Sequence, residues 1–589
     1  MHIGLADRSR HPRPDFSTEN WMSLDGEWEF AFDDADSGET ESWYKKPNHA
    51  FPQKINVPYV YQSKRSGICE KEVHDTVWYR RTVRMESRFQ NKRFLLNFGA
   101  ADFYTKIWVN GCYAGEHTGG YSSFAVDVTD FVKCGEDNDI VVRIYDDGGS
   151  REQPRGKQGW LDRNFGCWYT KHTGIWQSVW MEILDPSHIR AVSISTDIVK
   201  KEAGFSVALS KCPRNAELDI RVSMGELEIA SVRRRVSECR VGTAVNIENR
   251  AFENGVCLWN PEDPRLYEVE IGLLSDGTVV DSRKSYFGMR DISIEKGKIL
   301  LNRIPIYQRL VLYQGYFADG LISSGSDEDI VRDLKLILAM GFNGLRIHQK
   351  IESPRFLYWC DRLGLLVWEE MPSAYSFTGQ SVKTILKEWS DIVTRDKNHP
   401  SIITWVAFNE SWGVPDLYSD AKEQALAKAA LNMTKALDGT RPVIDNDGWE
   451  HTETDIYTIH DYGADAAHYE TAYADKAGVV DGAPSKAYSH FVSSKGHRYE
   501  GQPVLVSEYG GIAFDSSDGW GYNDKVHSQA EFLEKYRSLT QAIQKIGYIC
   551  GYCYTQFTDV EQEENGLLTI DREPKVSIEA LREINAAQN

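Results

Sequence analysis

Residues 342–371 read FNGLRIHQKIESPRFLYWCDRLGLLVWEEM, and their texture decides the fold of the C-terminal half. Two short apolar runs, FNGLRIH (342–348) and LLVWEEM (365–371), flank PRFLYWCDRLG (354–364), an amphipathic stretch that closes on a glycine, the usual helix stop. The same alternation extends in both directions. IYQRLVL (306–312) precedes it, and IITWVAFNE (402–410), RPVIDND (441–447), DIYTIHDY (455–462), PVLVSEYGG (503–511) and YICGYCYTQ (548–556) follow. Helical patterns at 327–341, 381–396, 419–439 and 528–547 lie between them. Eight strands alternating with helices across 292–589 predict a (β/α)8 TIM barrel. The link between the fifth and sixth runs is short, so one barrel helix is expected to be missing or reduced.

Upstream the rhythm changes. Residues 1–184 carry short aromatic-rich strands such as GEWEF, DTVWYRRTV, DFYTKIWVNG and GIWQSVWMEI, punctuated by Asn110-Gly111 and Asp147-Gly148 turns. Almost nothing there has helical period, which predicts a jelly-roll β-sandwich. Residues 185–291 keep the strand texture with fewer aromatics, about 100 residues and some seven short strands, as an immunoglobulin-like β-sandwich requires. The chain is therefore read as multidomain β and α/β, and 589 residues suit three or four domains.

Composition narrows the partners. Lys and Arg total 67 against 87 Asp and Glu, a net charge of -20. Tracking nucleic acid or an anionic membrane needs a basic field, so neither is expected as a partner. No apolar run of about 18 residues appears, and the start has no signal-like apolar core. The ten cysteines are scattered, which suits a reducing compartment, and a cytoplasmic location is expected. Cys550 and Cys553 are the one tight pair, but they fall in a strand, where positions three apart face opposite ways, so a redox pair is not favoured. GxSxG, Walker and GxGxxG motifs are absent.

In a barrel of this kind the site lies at the C-terminal strand ends. The fourth run ends in Asn409-Glu410 and the seventh in Glu508, so two carboxylates face each other across the mouth. Paired acids there, with no metal-ligand set and no cofactor motif, are what cleavage of a glycosidic bond requires: one protonates the leaving oxygen, the other attacks or activates water. The substrate expected is a small carbohydrate or glycoside. His460 and Tyr462 end the sixth run and reach sugar hydroxyls or Glu508, with a core role for Tyr462 the alternative. Trp368, Trp412, Trp449, Trp520 and Tyr554 at strand ends are candidates to stack on a sugar face. Homo-oligomerisation is left open.

Along essentially its whole length the sequence resembles glycoside hydrolase family 2, the β-galactosidases, β-glucuronidases and β-mannosidases. The resemblance rests on SLDGEWEF, VWYRRTV, WVNG, TGIWQSVWME, FGMRDI, RDKNHPSIITWVAFNESWG, DGTRPV and VSEYGG. It implies a retaining mechanism with Glu410 as acid/base and Glu508 as nucleophile. It also implies that Asn409 bonds the sugar 2-hydroxyl and that Arg346 lies beneath the nucleophile and keeps it ionised. After the second run many members read RTSHYP, whereas this chain has Arg346, His348, Gln349 and Lys350, which places a histidine and a lysine at the mouth. The Asn-x-Lys carboxylate reader of the family's β-glucuronidases is missing after the eighth run, where Glu564-Asn565-Gly566-Leu567 stands. The leading expectation is thus an exo-acting β-galactosidase that also accepts α-L-arabinopyranosides. The alternative is a β-glucuronidase or β-galacturonidase reading the carboxylate through Lys350. A non-catalytic carbohydrate-binding protein is a rival of another class, disfavoured because both acids, Asn409 and Arg346 are all present.

Overall fold

The computed structural model describes residues 10–45, 51–480, 490–516 and 519–587. The first sandwich sets a six-stranded antiparallel sheet against a four-stranded one. Period-two alternation builds its core: Phe94, Leu96 and Phe98 from the smaller sheet meet Phe30, Tyr79, Val142 and Ile144 from the larger. On the outer face of the larger sheet Trp78, Trp108 and Val141 make a second cluster, capped by Trp43 and Tyr44.

The second sandwich has three strands in one sheet and four in the other. Leu227–Arg235 is not legible as a strand in the sequence, because LEIASVRRR is largely solvent-facing and has no buried side to alternate. It is an edge strand, and its arginines are the charges that keep such an edge from pairing further.

The barrel strands are Gln308–Tyr313, Gly344–Ile347, Leu366–Glu370, Ile402–Val406, Val443–Ile444, Tyr457–His460, Val504–Gly510 and Ile549–Thr555. They form one parallel sheet running from the fifth strand back through the first and on through the eighth to the sixth. The fifth and sixth strands do not pair, so the barrel is nearly closed rather than closed. No helix joins them, as the short link predicts. Instead the connecting loop is held by Asp445, which binds His451 Nδ1 at 2.8 Å and accepts from Thr452 N at 2.5 Å. The helix after the second strand, Pro354–Leu363, starts where the Ser353 side chain accepts from Phe356 N. It stops at Gly364, which takes the left-handed conformation that glycine adopts without penalty.

Alternation decides which strand residues reach the site. Leu310, Leu312, Leu366, Trp368, Leu505 and Cys553 fill the barrel interior above a plug made by Trp259, Ile292, Ile299 and Leu301. Val311, Tyr313, Leu345, Val367, Val506, Tyr552 and Tyr554 pack outward with residues of the helices. Two expected sugar platforms are therefore core residues. Trp368 lies one inward position below Glu370, fully buried, its Nε1 donating to Gln308 Oε1 at 2.8 Å. Tyr554 is on the outward side, its ring 4.9 Å from that of Tyr536. Cys553 is sealed in the interior, Cys550 donates to Gly297 O at 3.2 Å, and all ten cysteines are free thiols. Among the described residues no helix is long and apolar enough to cross a membrane.

Candidate active site

The strand ends converge on one guanidinium. Arg346, from the second strand, is wholly buried and touches three carboxylates: Glu370 at 2.6 Å, Asp447 at 2.7 Å and Glu508 at 2.8 Å. These come from the third strand, the loop after the fifth and the seventh strand, so one side chain ties four parts of the barrel together. Its Nη2 also donates to Asn409 Oδ1 at 2.5 Å. That bond consumes the acceptor end of Asn409 and turns its Nδ2, buried and without a partner among the described residues, into an available donor.

Glu508 is 4% exposed. One oxygen accepts from Arg346 and the other from the Tyr462 hydroxyl, while His460 Nε2 stands 3.5 Å away. Burial alone would raise its proton affinity. His460 and Arg346, with the Tyr462 hydroxyl, outweigh it and hold the carboxyl well below its usual range. The Tyr462 ring stacks on Tyr522 at 3.4 Å, and burial keeps its hydroxyl protonated as a donor.

Glu410 is half-buried and directed by an unusual backbone. Both Glu410 and Ser411 have positive φ, in the left-handed region that non-glycine residues rarely occupy. The turn is held by Glu410 N donating to Asp447 O at 3.0 Å and Ser411 N donating to Asn446 Oδ1 at 2.9 Å. Glu410 Oε1 then meets His460 Nδ1 at 2.7 Å, and the other ring nitrogen meets Asp447 Oδ2 at 3.1 Å. Burial opposes charge on this imidazole, but Glu508 and the bonds to Asp447 and Glu410 raise it to about 10. His460 is thus a cation that donates from both nitrogens near neutrality.

An oxygen of Glu410, an oxygen of Glu508 and a nitrogen of His460 lie within 4.8 Å of one another. This is the one set among the described residues with the convergence a metal ion needs. Its atoms are already engaged in an ion-pair network: Glu508 with Arg346 and the Tyr462 hydroxyl, and the two His460 nitrogens with Glu410 and Asp447.

The structure brings His348 to the edge of this cluster, its Nδ1 3.1 Å from Glu370 and its ring 6.1 Å from that of Trp412. It does not bring Lys350 there. Lys350 is 1% exposed, and its Nζ donates to Glu352 Oε1 at 2.5 Å and Gly315 O at 2.8 Å. Its charge is spent in a buried pair under the Trp176 ring, which corrects the expectation that it reads a substrate carboxylate. Trp449 stacks on His490 at 3.7 Å, and Trp520 Nε1 donates to Gly166 O at 2.9 Å.

The rim comes from an unexpected place. Residues 155–170 of the first sandwich cross onto the barrel mouth. Arg155 N and Gly156 N donate to Ser373 O at 2.9 and 3.2 Å, and the Tyr375 hydroxyl donates to Gly156 O. Trp168 lies 5.6 Å from Trp412, and the Tyr169 hydroxyl donates to Glu563 Oε2 at 2.6 Å. Sequence reasoning missed Lys157, Cys167, Trp168 and Tyr169, because nothing in a strand-rich stretch announces docking on another domain. It also passed over Glu370 and Asp447, although both end barrel runs and had the same signal as Glu508.

A nearly closed parallel barrel with paired acids at its mouth, a buried arginine beneath one of them and two sandwiches before it is the architecture of a glycoside hydrolase. The chain belongs to glycosyl hydrolase family 2. The profile for the family's TIM barrel domain matches residues 292–588, that for its sugar binding domain 21–179, and that named simply for the family 187–290. Among curated relatives, a provisionally named beta-glucuronidase of Formosa agariphila is 28% identical over 80% of this chain. A beta-galactosidase of Thermoanaerobacter pseudethanolicus is 26% identical over 67% of it. This chain spans only 57% and 52% of those two proteins' lengths. The beta-glucuronidase of Chlorocebus aethiops is 25% identical over 99% of this chain and 93% of its own. The solved beta-glucuronidase of Ruminococcus gnavus superposes with a TM-score of 0.78 at 19% identity, covering 97% of this chain and 98% of that one, a likeness of fold.

Proposed function

We propose that the protein is a retaining exo-β-glycosidase acting through a glycosyl-enzyme intermediate on Glu508, with Glu410 as acid and then base. The observation that carries the reading is that an oxygen of one acid comes within 4.8 Å of an oxygen of the other, short of the gap in which an inverting enzyme seats its water. Retaining enzymes hold their carboxyls about 5–5.5 Å apart, whereas inverting ones leave about 6.5–9.5 Å for a water. In the first step Glu508, kept ionised by Arg346 and His460, attacks the anomeric carbon while Glu410 gives its proton to the leaving oxygen. Water then attacks the anomeric carbon from the side the aglycone left, Glu410 takes its proton, and the bond from the sugar to Glu508 breaks to restore the carboxylate. Asn409 Nδ2 supplies a hydrogen bond to a ring hydroxyl that tightens as charge builds on the sugar. His460 holds Glu410 in place.

For the sugar, the favoured reading is a terminal β-linked hexuronic acid. It is supported by the relatives and neighbours named beta-glucuronidase, two of which run nearly the full length of this chain. The galactoside reading, with α-L-arabinopyranosides as slower substrates, keeps second place. The Thermoanaerobacter relative carries that name, and Asn565 in the eighth-strand loop accepts from Gln556 at 2.7 Å and is followed by Gly566-Leu567, with no lysine at the Asn-x-Lys spacing. The ten free thiols suit a reducing compartment, and a cytoplasmic location is proposed on that ground. A panel of nitrophenyl β-glucuronide, β-galacturonide and β-galactoside, with product configuration followed by NMR, tests both levels. Inverted product overturns the mechanism, and turnover of neutral glycosides alone overturns the uronide.

A further inference from the structure

Lys157 presents an anomaly that the catalytic cluster does not absorb. It is 4% exposed, yet among the described residues no carboxylate lies within ion-pair distance of its Nζ. The ammonium sits instead over two rings, 5.2 Å from the centroid of Trp412 and 5.6 Å from that of Tyr169. Trp412 follows Glu410 by two residues, so this places the charge at the wall of the catalytic mouth. The nearby acid of the rim, Glu563, is turned elsewhere: Oε2 accepts from Tyr169 and Oε1 from Asn565 at 3.2 Å.

A buried ammonium without a counter-ion costs several kcal/mol, which chains normally avoid by pairing the charge or releasing the proton. Lys350 shows the paired solution in this same molecule. Lys157 does not release its proton either. Burial favours the neutral amine, but Cys167, a hydrogen-bond partner that burial keeps as an uncharged thiol, and the more distant carboxylates Glu563 and Glu508 favour the ammonium, which is raised above its ordinary value. The backbone fixes where the charge points. Gly156 has a positive φ, which glycine adopts without the penalty a side chain brings. A Cβ there would lie 2.1 Å from Gln349 O, so the segment is seated directly on the loop after the second barrel strand.

We propose that Lys157, delivered to the barrel mouth by the sandwich domain, is the group that recognises the carboxylate of a terminal uronic acid and so sets the substrate class. The inference rests on the uronide reading above and adds a residue to it. A uronate brings the one thing the site lacks, an anion able to pair with a buried cation over an aromatic wall. Such a charge-assisted contact is strong, and it is unavailable to the hydroxymethyl group of a neutral hexose. The Lys157 stem and the rings of Trp412 and Tyr169 would remain to pack against either sugar.

The test is Lys157→Met, which keeps the stem and removes the charge, with Lys157→Arg as the conservative variant. Kinetics are measured on nitrophenyl β-glucuronide, β-galacturonide and β-galactoside, and thermal melts are recorded with and without free glucuronate, galacturonate and galactose. The expected result is a loss of about 100-fold in kcat/KM on the preferred uronide for Lys157→Met, mostly in KM, with partial recovery in Lys157→Arg and little change on the galactoside. The preferred uronate should raise the melting temperature of the wild type but not of Lys157→Met. If the wild type cleaves uronides and folded Lys157→Met loses neutral and acidic substrates alike, or neither, the role of Lys157 is wrong and the uronide reading stands. If the wild type cleaves neutral glycosides only, the uronide reading falls and takes this inference with it.

Discussion

On the barrel floor Arg346 is wholly buried and touches three carboxylates, whereas on the rim Lys157 is almost as deeply buried and pairs with none among the described residues. The floor is built from strand ends, where period-two alternation turns Arg346, Glu370 and Glu508 inward and ion pairs join them before any ligand arrives. Its charges are paired internally, which is what a preorganised reaction centre needs, since fixed dipoles and ion pairs cost no reorganisation when charge develops on the sugar. The rim is built by a second domain laid over the mouth, and its charge is left unbalanced. The contrast separates two jobs: the floor does chemistry common to many sugars, and the rim chooses among them. Changes on the floor should therefore affect every substrate, and changes on the rim should affect substrates unequally.

The largest effect that sharpens this contrast is expected at Glu508. Replacing it with Ala should reduce turnover of all glycosides roughly 10⁴-fold or more. Azide should restore part of the rate and yield a glycosyl azide of inverted configuration. An active Glu508→Ala without added anion would show that the floor has been misread. Glu410→Ala should follow, losing about 10²–10⁴-fold on aglycones that need a proton and far less on dinitrophenyl glycosides, which leave without one. Equal loss on both kinds would remove Glu410 from the acid role.

Arg346→Lys is expected to cost less, about 10–100-fold in kcat, and its signature is the pH profile. Glu508 is depressed in the folded protein, so its contribution to stability is present above the usual carboxylate range and is lost as pH falls through the depressed value. A lysine cannot bridge Glu370, Asp447 and Glu508 together. The acid limb of the rate profile should therefore move to higher pH, and acid unfolding should begin earlier. His460 has the opposite sign. Its raised value stabilises fully below about 6.5, the ordinary histidine value, and the contribution is lost as pH rises through about 10. The alkaline limb should respond to His460→Asn, and because the imidazolium also holds Glu508 down, the acid limb should shift to higher pH as well. Unchanged limbs in both variants would separate the network from catalysis.

Much of the floor is legible in the sequence, for a physical reason. Glu410 and Glu508 end apolar runs, and in a parallel barrel every strand end opens on the same face. The same rule marks Arg346, Asn409, His460 and Tyr462, and it extends to Glu370 and Asp447 once each strand end is read with equal weight. It fails for Trp368 and Tyr554, where one step of alternation separates a mouth residue from a core residue. It fails for Lys350 because a lysine next to a motif says nothing of the partner two residues on, Glu352, that absorbs its charge. The rim is illegible. Lys157 stands 255 positions before Trp412 in the numbering, and its placement depends on domain docking, which leaves no periodic trace in a sequence.

The smallest expected effect tests that docking itself. Gly156→Ala adds one methyl group at a left-handed position, where its carbon would fall 2.1 Å from Gln349 O, so the segment must lift or the second barrel loop must give way. The strain of an L-residue there is about 1–2 kcal/mol, and lost contacts add to it. Two bonds hold the segment at this point, Gly156 N to Ser373 O at 3.2 Å and the Tyr375 hydroxyl to Gly156 O. Both would lengthen, and Lys157 would move with them. Gly156 is not among the described partners of Arg346, Glu410 or Glu508. On a substrate that does not use the rim, kcat should therefore stay within about threefold of wild type, while KM for the preferred uronide rises several-fold. Calorimetry should show the melting temperature falling by about 1 °C per kcal/mol if the domains unfold together. A Gly156→Ala enzyme with unchanged KM for every sugar would mean that the rim tolerates displacement, and that the choice of sugar is made on the floor after all.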